Sequence, residues 1–146
     1  MKGSTDGKPS IWRVVLAMGA GIVAWLLVAT LLNLVLRITL PGYAAAEPDK
    51  VFTLTMQIAR LLMGAVASLA GGAAAGWIDR PAGPAVWVIA VALLAAFIPA
   101  HVGLWPLFPV WYHLTFLILL APLIVLGSLL GHKRGSQQSP GDEQRA

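Results

Sequence analysis

The chain has 146 residues, 58% hydrophobic and only 11% charged, where a soluble domain carries about 25% charged residues. The absence of cysteine excludes disulfides, thiolate metal sites, iron–sulfur clusters and thiol redox chemistry. The net charge of +4 comes from basic residues at the ends of apolar blocks, a pattern of topology and anionic-lipid contact rather than of nucleic-acid binding.

Four apolar blocks of membrane length predict an all-α integral membrane protein. The expected fold is four transmembrane helices in an up-down-up-down bundle forming one domain over residues 11–134. Residues 1–10 read as a short polar cytoplasmic segment. The first span runs from Ile11 to Leu36, with 23 uncharged residues between Arg13 and Arg37. That is enough to cross with some tilt. Ala17, Gly21 and Ala24 offer it a docking face, and Asn33 and Arg37 share a face near its far end. The apolar run is much longer than a signal-peptide core of 7–15 residues, so the segment is expected to be retained rather than cut after Ala46. Residues 38–50 form the longest loop, with a turn at Pro41-Gly42.

The second span, Val51 to Ile78, is the helix around which the rest is organised. Gly64, Ser68, Gly72 and Gly76 recur at every fourth position. Each step drifts about 40° around the helix, so a partner following the row crosses right-handedly. Such a packing face serves either a helix of the same chain or another subunit. Arg60 lies nine residues into this span, roughly 13 Å along the axis. An ionisable residue there is costly, by about 2.5–3.5 kcal/mol on insertion scales at mid-bilayer, and marks a functional site unless it snorkels or is structurally paired.

A tight connector, Asp79 to Pro84, makes spans two and three antiparallel neighbours, and Pro84 suits the first turn of a helix. The third span, about residues 84–104, has a clean apolar stretch of only 14 residues, Ala85 to Ile98. It must continue through Pro99 with a kink or end below the interface. The fourth, about residues 110–130, carries Pro122 mid-span and a second small pair, Gly127 and Gly131. Residues 135–146 have no periodicity and read as a disordered tail.

Lys2, Lys8, Arg13, Arg80, Lys133, Arg134 and Arg145 fall on one side, against Arg37 and Lys50 on the other. The positive-inside rule therefore puts both termini in the cytoplasm. The expected compartment is a bacterial inner (plasma) membrane. Trp12, Trp77 and Trp87 form an inner aromatic belt. Tyr43, Phe52, Trp105, Trp111 and Tyr112 form the outer one.

The candidate polar site is Asn33, Gln57, Arg60, His101, Tyr112 and His113, one or two residues from each span, all in the outer leaflet. Arg60 would floor an outward vestibule, and its fixed charge would favour an anion or a polar headgroup. Glu47 or Asp49 could instead cap Arg60 from the loop and make it structural. His132 belongs to the inner charge cluster. The six acids all lie outside the spans, leaving no membrane carboxylate for acid–base work or a proton relay. The chain has no HExxH, no phosphate loop and no Ser-His pairing in motif context. The expectation is a non-catalytic membrane module without a cofactor or metal. It would bind a membrane-protein partner, a second copy or lipid through the small-residue faces and the polar site. The alternatives are a small oligomeric channel or carrier for an anion or polar solute, and a redox protein with haem on the outer histidines.

Overall fold

The computed structural model describes residues 10–137, with side chains through His132. Residues 1–9 of the predicted cytoplasmic segment and 138–146 of the predicted disordered tail lie outside the described residues, while residues 135–137 continue the last helix instead of starting a disordered tail. Among the described residues five helices follow one another: α1 (Ile11–Thr39), α2 (Tyr43–Ala46), α3 (Leu54–Ile78), α4 (Pro84–Gly103) and α5 (Val110–Gln137). Four of them, α1, α3, α4 and residues 110–132 of α5, are long and apolar enough to cross a membrane.

The helix ends follow local chemistry. α1 outruns the expected Leu36 and stops at Thr39, where Pro41 and the left-handed Gly42 (φ 77°) turn the chain. The single-turn α2 then sits inside what was expected to be loop. α3 begins three residues later than predicted, because Thr53 is its N-cap and its hydroxyl accepts the Met56 N–H at 3.4 Å. Pro84 occupies the first turn of α4, where its missing N–H costs nothing. α4 continues through Pro99 to Gly103, so His101 is helical, and α5 continues through Pro122.

α3 is central and packs most extensively on α5, then on α1. Glycines set both seams. On the α5 side, Gly72 lies against the Ile124 carbonyl and Gly76 against the Ser128 carbonyl. In return Gly127 meets the Leu69 carbonyl and Gly131 the Ala73 carbonyl. The two backbones touch, and no side chain separates them. On the α1 side, Gly21 and Gly71 face each other, each leaving only 2.9 Å between a would-be Cβ and the other's carbonyl oxygen. Arg13 Nη2 donates to the Ile78 carbonyl at 2.7 Å, and Trp25 Nε1 to Ser68 Oγ at 3.3 Å. The physical logic is that of lipid as solvent: with no hydrophobic force between helices, close backbone approach supplies the dispersion contact.

The buried cluster is correspondingly made mostly of small and β-branched residues, Ala17, Ala75, Ala85, Val86, Ile89, Ala90 and Ile124, with Leu120. Large apolar side chains such as Leu27, Leu31, Val91 and Ile118 point outward. The row Gly64, Ser68, Gly72 and Gly76 is thus buried within the chain. Of the predicted docking face on α1, Ala17 and Gly21 are buried and Ala24 is half-buried.

Candidate functional site

At the end of the molecule that holds residues 33–60 and 97–116, a polar relay runs through α1, α2 and α3. Arg60 Nη1 donates to the Tyr43 hydroxyl at 2.7 Å, and Tyr43 donates to Asn33 Oδ1 at 2.9 Å. Asn33 Nδ2 donates to Glu47 Oε1 at 3.1 Å, and Glu47 Oε2 pairs with Arg37 Nε at 2.9 Å. Every link has one donor and one acceptor, so the relay has a single polarity from guanidinium to carboxylate. The Gly42 turn makes this possible by folding α2 back so that Tyr43 is fully buried beside Arg60.

The electrostatics leave Arg60 short of an anion. The relay's carboxylate, Glu47, is separated from Arg60 by Tyr43 and Asn33 and is paired with Arg37. Burial pushes the Tyr43 phenol above its ordinary value, against the opposing effect of Arg60. Tyr43 therefore stays a neutral phenol and gives Arg60 a hydrogen bond but no countercharge. The Phe52 ring lies 4.7 Å from the guanidinium carbon, a cation–π contact. Arg60 Nε is buried without a hydrogen-bond partner.

A cavity of about 140 Å³ opens beside it, lined by all four long helices and the α4–α5 loop. A cavity of about 150 Å³ takes a benzene-sized molecule, whereas pockets for drug-sized ligands start near 300 Å³. Its walls are apolar and aromatic, among them Trp25, Phe97, Phe108 and Phe116; its polar lining is Arg60, His101 and Tyr112. Rings brace one another around it: Phe97 meets Phe116 at 4.9 Å, and Phe108 stacks on Tyr112 at 4.8 Å. His101 stacks on Phe116, also at 4.8 Å. Behind His101 lies His113, fully buried and stacked on Trp105 at 4.8 Å. The two imidazoles share a hydrogen bond, Nδ1 to Nδ1, at 2.8 Å.

Of the six residues singled out from sequence, Arg60, His101 and Tyr112 meet at the cavity. His113 supports His101 from behind, and Asn33 joins through Tyr43. Gln57 does not take part: its Nε2 donates to the Phe52 carbonyl at 3.1 Å. Neither loop acid touches Arg60, because Glu47 is held by Arg37 and Asn33, and Asp49 is exposed. Tyr43 and Tyr112 differ from the expected belt residues. Both are buried: the Tyr43 phenol bonds Arg60 and Asn33, and Tyr112 lines the cavity, while Trp105 and Trp111 remain exposed. Tyr43 and Phe52, read from the sequence as belt residues, are the contacts of Arg60 that sequence reasoning missed. The available signal was a tyrosine placed immediately after a Pro-Gly turn.

No family model, curated protein or solved structure matches the chain. Function therefore has to come from the geometry. Among the described residues, no group of three or more His, Cys, Asp or Glu could hold a metal ion. The haem alternative finds no support in the histidines, whose rings touch each other instead of facing across a porphyrin-sized gap.

Proposed function

We propose that this chain is a non-catalytic membrane module that holds the polar end of an amphiphile in the Arg60 cavity. The proposed setting is an up-down-up-down four-helix bundle in a bacterial inner membrane, with both termini cytoplasmic and the cavity in the outer leaflet. The distribution of lysine and arginine in the sequence supports that orientation.

The observation that carries the proposal is a cavity-lining arginine with no carboxylate in contact among the described residues, beside a tyrosine that burial keeps neutral. A charge in a span is a functional-site signal by default, and here the relay positions it without neutralising it. The apolar, aromatic walls suit the portion of an amphiphile adjoining its headgroup. The small-residue row is a poor candidate for the partner site, since α5 fills it. A channel has no support either: Ser68 and Ser128, the polar groups deeper in the molecule, already donate to the Gly64 and Val125 carbonyls at 2.8 and 2.6 Å.

Native mass spectrometry of protein gently extracted from its own membranes tests the proposal. Wild type should retain an amphiphile of defined mass that Arg60→Gln loses while remaining folded. Identical retained species on both proteins would refute it.

A further inference from the structure

We infer that the cavity receives an oxyanion of the phosphate type, gripped by Arg60 and by the Nε2–H of His101, with His113 acting as the residue that sets the His101 tautomer. This deepens the amphiphile reading and rests on it.

The sign of the ligand follows from the cation. Arg60 offers five N–H donors and no acceptor; its side-chain partners, Tyr43 and Tyr112, are phenols and not carboxylates. The relay has one carboxylate, Glu47, for two guanidiniums, Arg37 and Arg60. An excess positive charge beside an apolar cavity is offset most directly by a ligand anion.

The histidines supply the second contact. Two nitrogens 2.8 Å apart in a buried site hold one proton between them: two protons would clash, and none would set lone pair against lone pair. His101 lines the cavity, and its Nδ1 is engaged with His113. Its Nε2 is therefore the nitrogen left for a ligand. In one neutral arrangement His101 donates to His113. His113 then carries its proton on Nε2, which is fully buried and has no acceptor. In the other, His113 donates through Nδ1, its Nε2 is a bare lone pair, and His101 carries Nε2–H. Buried orphan N–H groups are rarer than under-satisfied acceptors, and an anion in the cavity selects the donor form of His101. Both considerations choose the second arrangement. The cavity then presents an arginine and an N–H donor, and its size admits a headgroup oxyanion with the tail left outside.

The test is binding of dodecyl phosphate to the full chain in neutral maltoside detergent, by native mass spectrometry and calorimetry. Inorganic phosphate and dodecyltrimethylammonium are run in parallel. Dodecyl phosphate should bind, and dodecyltrimethylammonium should not. Arg60→Lys, which keeps the charge but loses the fork, and His101→Phe should each weaken binding roughly ten- to hundred-fold. His113→Phe should do the same, whereas His113→Asn should restore it, since its amide N–H can donate to His101 Nδ1. Nitrogen-15 spectra of the bound protein should show His101 protonated at Nε2.

Equal binding of inorganic phosphate would keep the oxyanion site and assign it to free phosphate, overturning the amphiphile reading. Binding of alkyl amphiphiles regardless of headgroup charge, still sensitive to Arg60, would overturn the oxyanion while leaving the amphiphile reading standing. A bound-state His101 without a proton on Nε2, or equal affinities for His113→Phe and His113→Asn, would overturn the role given to the histidine pair.

Discussion

Gly72→Ala examines whether α3 and α5 are in backbone contact. A Cβ at position 72 would overlap the Ile124 carbonyl oxygen, with the Ile124 carbonyl carbon 2.7 Å away and its Cα 3.0 Å away. Carbon atoms sit comfortably at about 3.5–4.0 Å, so the helices must part by about 1 Å. A gap of that size forfeits roughly a quarter to a half of each dispersion contact it opens. The loss spreads along the seam, because Gly76, Gly127 and Gly131 depend on the same separation. Overpacking of this kind costs about 1–3 kcal/mol. Alanine's higher helix propensity offsets little of this, since separated helices in lipid keep their backbone hydrogen bonds. Gly19→Ala is the control: nothing lies within 4 Å of its would-be Cβ, and its stability should match wild type within about 0.5 kcal/mol. Equilibrium unfolding in mixed micelles, followed by tryptophan fluorescence, compares the two. If Gly72→Ala proves as stable as Gly19→Ala, the backbone contact between α3 and α5 is refuted.

Tyr43→Phe should cost about 1–3 kcal/mol at neutral pH, because Arg60 Nη1 and Asn33 Oδ1 lose their partner. The wild-type phenol has its pKa raised by burial, so its stabilising contribution is complete below the unfolded value near 10 and is lost as pH rises through the folded value. Unfolding measured across alkaline pH should show that loss in wild type and not in Tyr43→Phe. Arg37→Gln should change stability by less than about 1 kcal/mol, since the arginine side chain is 52% exposed. Glu47→Leu should cost more in the same denaturation assay, because it also strands Asn33 Nδ2. Ala82 adopts φ 51° in the α3–α4 connector, so Ala82→Gly should raise the unfolding midpoint, by the equivalent of about 1 kcal/mol.

The sequence alone determined the class of molecule. Four apolar blocks, the scarcity of charge and the placement of proline gave an all-helical chain with four membrane-length helices, because hydrophobic length is a local property of the chain. It also marked Arg60, since a charge within a span stands out against its neighbours. Local capping shifted the boundaries: Thr53 delays α3, and Pro41-Gly42 ends α1. The tertiary structure decided what touches what. The small row runs down one helix, yet only packing determines that Gly72 and Gly76 meet α5 while Gly71 meets α1. Likewise Tyr43 and Phe52 carried the composition of an interfacial belt, and only the left-handed turn at Gly42 buries Tyr43 against Arg60. His101 and His113 are twelve residues apart; it is the reversal between α4 and α5 that puts their nitrogens within hydrogen-bond distance. The physical reason is the same in each case. Hydropathy and helix signals are encoded within a few turns of chain, whereas hydrogen bonds between helices depend on rotations and offsets that no single segment contains.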